Sequence, residues 1–289
     1  MSSAAAALGL PSWPPTEVRK WLTCPVYWQL SKRWTPRVES WQPHKLVGSA
    51  LHLGIASYLG SVRDGAPALS LYETSGHDAL QLLEAEFQEQ ETWSLEALQA
   101  LVRKGIALAI KGIERDLLPG ATIRGVEVTD PINPLPPGVR VPRIIDCILE
   151  RAGALEVWDW KSHIKLDPQY LGERQRSIIH SWQLLDYGWH AQEWFGKPVT
   201  LVGTGEIILT PKAQFLPVPV VVIPARLAQW RMDAEQIWHM MATIPDWHNW
   251  EACTDRHLFY GKECEFVPGC HQLSGDETLF SGVYKVRES

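Results

Sequence analysis

Two carboxylates and an ammonium lie in strand-like runs near the middle of the chain, spaced so that they could hold a cation. The run from Val141 to Leu149 contains Asp146, and the run from Leu155 ends in Asp159-Trp160-Lys161. Both are rich in β-branched and aromatic residues and are separated by a break at Ala152-Gly153, so they read as two strands of a hairpin. An even loop centred between Ala152 and Gly153 sets Asp146 opposite Asp159, about 5 Å away at Cβ. Strand alternation then sends Leu155, Val157, Asp159 and Lys161 to one face and Glu156, Trp158 and Trp160 to the other. Like charges facing each other destabilise a sheet unless something neutralises them. A divalent cation with Lys161 beside it would do so. A strand ending in Asp-x-Lys can also be a plain solvated strand end; the opposed Asp146 is what favours chemistry, because paired carboxylates on apolar strands need a compensating partner.

Elements on both sides must position these groups. Upstream, Val47 to Leu59 carries Leu51, Ile55, Tyr58 and Leu59 at helical spacing, with His52 near its start. A lone histidine in such a helix is ordinarily structural. Downstream, Asp167-Pro168 reads as an N-cap and first helical residue and Gly196 as a stop, so this span is one helix or two closely joined ones. Within it His180, Gln183 and Tyr187 fall at i, i+3 and i+7, on one face. Glu127, in Val126-Glu127-Val128, is either a further site acid or a strand-edge carboxylate.

In order, His52, Asp146, Asp159-Trp160-Lys161 and Gln183-Leu184-Leu185-Asp186-Tyr187 resemble the motif set of the PD-(D/E)XK nucleases. The early helical histidine and the final Gln-x-x-x-Tyr resemble the RecB-like and Cas4-like exonuclease branch. The resemblance runs from about Cys24 to Cys270. It implies an α/β fold with a restriction-endonuclease-like core, a mixed central sheet flanked by helices, with a helical N-terminal part and a cysteine-bearing C-terminal addition. One departure is Arg143-Ile144-Ile145, where the family often has glycine shortly before the first acid. Glu127 matches an acidic position frequent in the family on the strand before the hairpin.

The roles implied by the resemblance agree with what phosphodiester hydrolysis needs. The reaction passes through a crowded, highly anionic state, so cations must sit where charge accumulates. Asp146 and Asp159, with His52 as a nitrogen ligand, would hold Mg²⁺ or Mn²⁺. Lys161 would orient and help deprotonate the attacking water, or stabilise the developing charge. Gln183 and Tyr187 would contact the nucleic-acid strand or brace the lysine.

The five cysteines add a second constellation. Cys147 points away from Asp146 along the strand and reads as a small buried hydrophobe. Cys24 near one end, with Cys253, Cys264 and Cys270 near the other, is similar to the iron-sulfur staple of the Cas4-like and AddB-like nucleases. That similarity implies a structural [4Fe-4S] cluster held by the four thiolates. The gap from Cys253 to Cys264 is longer than is common in that branch, and a Cys₄ zinc site is the alternative.

At 289 residues, the chain is expected to form a single nuclease domain over 1–289. Its sub-regions are a helical part over 1–118, a nuclease core over 119–225, and a helical, cysteine-rich segment over 226–289. Within the core, Val199 to Gly203 and Glu206 to Thr210 read as separate strands, and Ala225 to Ala242 as an amphipathic helix. Most of the 15 tryptophans should be core, including Trp158, Trp160, Trp182 and Trp189. No apolar run reaches membrane-spanning length, and the opening stretch lacks a basic n-region, so a cytoplasmic protein without membrane partners is expected. The net charge of −6 disfavours strong nonspecific duplex binding, though Lys161, Lys165, Arg174, Arg176 and Lys32-Arg33 could form a local positive track. No phosphate-binding Gly-x-x-x-x-Gly-Lys motif is present, so unwinding would come from a helicase, recombination or CRISPR-adaptation partner. The resulting expectation is a metal-dependent deoxyribonuclease acting on single strands or DNA ends. The competing class is a noncatalytic DNA-binding or scaffold protein retaining the fold.

Overall fold

The computed structural model describes residues 15–24, 27–28, 30–31, 34–36, 42–66, 68–88, 93–129, 143–166, 171–179, 181–243, 258–259, 262–263 and 284–286. In chain order the elements are α1 (Pro15–Thr23), β1 (Trp34–Pro36), α2 (Pro43–Arg63), α3 (Ala68–Glu86), α4 (Leu95–Gly112), β2 (Thr122–Thr129), β3 (Ile144–Arg151) and β4 (Ala154–Lys165). They continue with α5 (Leu171–Ile179), α6 (Trp182–Phe195), β5 (Val199–Thr210), β6 (Gln214–Val221), α7 (Pro224–Thr243), β7 (Leu258–Phe259), β8 (Lys262–Glu263) and β9 (Tyr284–Val286). The chain divides into two compact units. One comprises Met1–Ser40, Ile132–Pro142 and Met232–Ser289, the other Trp41–Pro131 and Arg143–Arg231.

The larger unit is built on a five-stranded sheet of order β2-β3-β4-β5-β6, flanked by helices. Every pairing is antiparallel except β4 with β5. A parallel neighbour needs a crossover, and α5 with α6 supplies it. This is the mixed α/β, restriction-endonuclease-like core expected from the sequence. Alternation along β4 divides the core as anticipated. Trp158 and Trp160 pack with Leu51, Ile55, Val102 and Ile106 of α2 and α4, while Leu155 and Val157 pack with Leu184, Tyr187 and Ala191 of α6.

The β3–β4 hairpin turns on Ala152 (φ 51°) and Gly153 (φ 81°), both left-handed as a two-residue turn between twisted strands requires. Pairing runs from Arg151↔Ala154 to Cys147↔Trp158, the register the even loop implied. The sheet differs from expectation in β5, which is one strand rather than two. The strand reads as broken between Gly203 and Glu206 in sequence, but the glycines at 203 and 205 make room for the neighbouring strand's rings. A Cβ on Gly205 would stand 2.6 Å from the Trp160 ring, and one on Gly203 would stand 2.8 Å from that of Trp158.

The downstream helical span is two helices. A new start is made at Ser181, whose side chain accepts a hydrogen bond from the Leu184 backbone N–H (3.4 Å), and left-handed Gly196 (φ 61°) closes α6. Of the expected polar stripe, Gln183 and Tyr187 share this helix; His180 and the Asp167-Pro168 cap lie outside the described residues. Arg143, just before β3, is wholly buried.

In the smaller unit, β1 pairs antiparallel with β9, and β7 with β8. Val18, Trp21, Trp28 and Leu30 are buried there. No helix among the described residues is long and apolar enough to cross a membrane.

Candidate active site

The site forms where the hairpin opens. Beyond Cys147↔Trp158 strands β3 and β4 part, and Asp146 sits in the fork. Its Oδ2 accepts the Trp160 backbone N–H at 2.6 Å, so the carboxylate takes the place of a ladder bond. The chain changes face here: Ile145 packs in the α6-side cluster and Cys147 in the α2-side cluster. The hairpin register is as read from the sequence up to Cys147↔Trp158, but the expected Asp146–Asp159 pair is not formed, and Asp146 does not oppose Asp159 across one face. Lying between the strands, Asp146 can be reached from helices on both sides.

From α2, His52 Nδ1 lies 3.4 Å from Asp146 Oδ2. Burial alone would lower the His52 pKa, but its hydrogen bond to Asp146 and the charges of Asp146 and Asp159 outweigh that and leave it raised. From β2, the pairs Val126↔Cys147 and Val128↔Ile145 bracket Glu127 against Asp146. Glu127 has a left-handed backbone (φ 48°), which costs a side-chain-bearing residue about 1–2 kcal/mol. Strain of this kind gathers at functional sites. One ligand atom each from His52, Glu127 and Asp146 lie within 4.8 Å of one another. The residue is exposed overall, but desolvation of its carboxyl, then the nearby Asp146 charge, push that group up to about 7. The sequence left this residue's role open, and the structure puts it in the cluster.

Asp159 is 2% exposed and carries the second half of the site. Lys161 Nζ lies 2.5 Å from its Oδ2 and forms an ion pair with it. The other oxygen, Oδ1, accepts from the Gln183 side-chain amide at 3.1 Å. Burial raises the Asp159 carboxyl to about 6, with Lys161 pulling it down and Asp146 pushing it up. The same Gln183 nitrogen donates to the Tyr187 hydroxyl oxygen at 2.9 Å. Burial, followed by the Asp159 charge, holds the Tyr187 phenol well above its ordinary value. Gln183 thus braces the carboxylate that Lys161 faces.

These contacts bring together His52, Asp146, Asp159, Lys161, Gln183 and Tyr187, six residues singled out in the sequence. Cys147 is buried, and burial raises its thiol, as its reading as a small hydrophobe implied. Cys24 is half-buried and its sulfur accepts the Tyr27 backbone N–H at 3.4 Å. Cys253, Cys264 and Cys270 lie outside the described residues.

Two buried polar groupings near the site escaped the sequence reading. Arg143 donates through Nε (2.7 Å) and Nη2 (3.0 Å) to the two carboxylate oxygens of Asp186, with neither side chain exposed. The departure from glycine before the first acid was the available signal, and Asp186 lies inside the Gln-x-x-x-Tyr segment. On β5, buried Glu206 accepts from Thr204 Oγ1 (2.6 Å) and pairs with His163 Nε2 of β4 (2.5 Å). Parallel register sets Glu206 beside Lys161 and Thr204 beside Asp159. A buried acid in a β-branched strand offered no sequence pattern to find it by.

The donor set suits a hard divalent cation: carboxylates and one imidazole, with the His52, Glu127 and Asp146 ligand atoms within 4.8 Å of one another. Residues 12–271 match the family model of the PD-(D/E)XK nuclease superfamily. Among solved structures, the chain is similar to one from Eubacterium rectale described as a "Putative exonuclease", with 15% sequence identity over 93% of this chain and 90% of that one and a TM-score of 0.48. No curated protein matches the sequence.

Proposed function

The chain belongs to the PD-(D/E)XK nuclease superfamily, and from that premise we propose that it is a Mg²⁺- or Mn²⁺-dependent deoxyribonuclease, an exonuclease on single strands or DNA ends. The observation that carries the reading is the Asp159 carboxylate. It is buried, and burial raises its pKa despite the Lys161 ion pair, with the Asp146 charge adding to the shift. One ammonium faces the carboxylates of Asp159, Asp146 and Glu127, so the cluster favours a further positive partner. His52, Glu127, Asp146 and Asp159 would hold a divalent cation, which supplies concentrated positive charge to offset that building on a phosphate during cleavage.

The chain's own groups do the rest. Lys161 holds an ammonium beside Asp159, where it can orient an attacking water and stabilise negative charge on the phosphoryl oxygens. Gln183 fixes the rotation of the Asp159 carboxylate from α6. Because Tyr187 accepts from Gln183, its O–H remains able to donate to a strand phosphate. Trp158 and Trp160 pack the opposite face of β4 and hold that strand rigid, which keeps Asp159 and Lys161 in place. Recombination, repair, phage replication and CRISPR adaptation, with a helicase or adaptation partner, are the settings such an activity suits. For the four cysteines we keep the sequence reading of a [4Fe-4S] cluster, with zinc as its alternative; iron and zinc analysis of the purified protein decides between them.

The test is degradation of 5′- and 3′-labelled single-stranded DNA in Mn²⁺, Mg²⁺ or EDTA. Cleavage with either cation and none in EDTA is expected. Binding without cleavage under all three conditions would establish the noncatalytic reading.

A further inference from the structure

Past the fork, β4 has no strand partner among the described residues on the side that β3 has left, while its other edge stays paired with β5 from Lys161↔Glu206 to Lys165↔Thr210. Along this stretch Lys161, His163 and Lys165 alternate with Ser162 and Ile164. The three therefore share one face and stand about 6.6 Å apart, two strand residues at a time. Ile164 packs toward the α2-side core, so the three basic side chains are on the other face.

His163 is the informative member. Its Nε2 lies 2.5 Å from Glu206 Oε2, and the second oxygen of Glu206 accepts from Thr204. Glu206 is wholly buried, whereas the His163 side chain is 22% exposed. A buried carboxylate that engages Nε2 fixes the orientation of the ring and leaves Nδ1 as the other ring nitrogen, which donates to a phosphate when both ring nitrogens carry protons. Lys165, at the strand end, is exposed.

Resting on the nuclease reading above, we propose that this part of β4 is a phosphate rail. His163, held by Glu206 and Thr204, and Lys165 receive successive phosphodiester groups of the strand whose scissile phosphate lies at Lys161. The repeat of a β-strand face suits an extended single strand, and the contacts are to backbone phosphate and carry no base preference. The rail places the strand so that the group to be cut meets Asp159 and Lys161. Glu206 and Thr204 act only through His163 and are positioning residues.

Binding of a fluorescent single-stranded oligonucleotide to the full chain in EDTA, over a salt series, tests this without cleavage. Removing the partner of one phosphate should make the slope of log K against log salt shallower by about 0.7. His163→Gln keeps a donor for Glu206 and guards against misfolding; Lys165→Ala changes an exposed side chain. Each should shallow the slope by the amount due to about one phosphate and weaken binding severalfold, while Lys111→Ala on α4 leaves the slope unchanged. A purely structural His163 would leave the salt slope at the parent value. Unchanged slopes in His163→Gln and Lys165→Ala, in a protein that binds and cuts DNA, would overturn the rail and leave the nuclease standing. Equal shallowing by Lys111→Ala would also overturn it, since phosphate binding would then be diffuse. A parent protein that neither binds nor cuts DNA would instead remove the functional reading beneath it.

Discussion

Two aspartates in this protein are buried almost equally and treated in opposite ways. Asp186 has no side-chain exposure and receives two hydrogen bonds from the equally buried Arg143. Asp159 has 3% side-chain exposure, one oxygen braced by Gln183, and the other paired at 2.5 Å with Lys161, whose side chain is 32% exposed. The first is a closed structural pair joining α6 to the start of β3. The second has its ammonium partner half-exposed and a second carboxylate, Asp146, close by, and its carboxyl is raised to about 6 by burial. Burial therefore does not separate structure from chemistry here; compensation does. Even His190 fits the structural side: its Nδ1 lies 2.8 Å from the Asp186 carbonyl, and burial, with Arg143 nearby, lowers it to about 2, so it stays neutral among Trp189, Trp194 and Trp230.

The sharpest way to break this contrast is to remove each acid. Asp159→Ala, like Asp146→Ala and Lys161→Ala, should lower cleavage by about 10³-fold or more, because each deletes a group acting where charge builds. Melting temperature should change little in Asp159→Ala, where lost pairing offsets the relief of a carboxylate that burial and Asp146 disfavour, and should fall in Asp146→Ala, which strands the Trp160 N–H. Asp186→Ala should instead destabilise by about 3–5 kcal/mol, by stranding a buried guanidinium. Denaturant titration of both series checks the signs, and a large loss of stability in Asp159→Ala would erase the contrast.

Removing a strained ligand should have a smaller effect. Glu127→Gly relieves the left-handed backbone, so metal-free stability should rise by about 1 kcal/mol while Mn²⁺ binding weakens. Calorimetry of both quantities on one preparation measures the trade. Gln183→Ala should reduce turnover by about 10–100-fold, as loss of a bracing partner does, with little change in the Mn²⁺ titration.

The smallest effect is on pH. Asp159 and Glu127 hold protons to about pH 6 and 7 in the folded protein, against the ordinary carboxyl range near 4. Between those limits folding takes up protons, so metal-free stability should fall as pH rises from about 4 to about 7. The raised His52 works in the same direction, its contribution being lost as pH rises through its folded value. Asp159→Asn should flatten the profile, whereas Asp186→Asn should not remove its slope. Melting temperatures across that range, in EDTA, decide it.

The sequence carried much of this site because strand and helix periods are short-range. The Ala152-Gly153 break alone fixed the hairpin register, and the i, i+4 spacing put Gln183 and Tyr187 on one face. What it could not carry depends on distant contacts. The Asp146 fork arises because β3 leaves β4 to change faces. Glu127 reaches the site through a backbone twist that no side-chain pattern announces. The strand reads as broken between Gly203 and Glu206 because nothing local shows the Trp158 and Trp160 rings that need the space at Gly203 and Gly205. Arg143 with Asp186 and His163 with Glu206 are each pairs 43 residues apart, visible only once the strands and α6 are assembled.

The central claim, that the buried Asp159 belongs to a divalent-cation site, is tested most directly by the melting temperature of EDTA-stripped protein at about pH 7.5 as Mn²⁺ is added. A ligand at about 100 times its Kd adds about 2.7 kcal/mol to the folded state. The parent protein and Asp186→Asn, as far as the latter folds, should show the rise, and Asp159→Asn should lose most of it. No rise in the parent, or an equal rise in Asp159→Asn, would contradict the account.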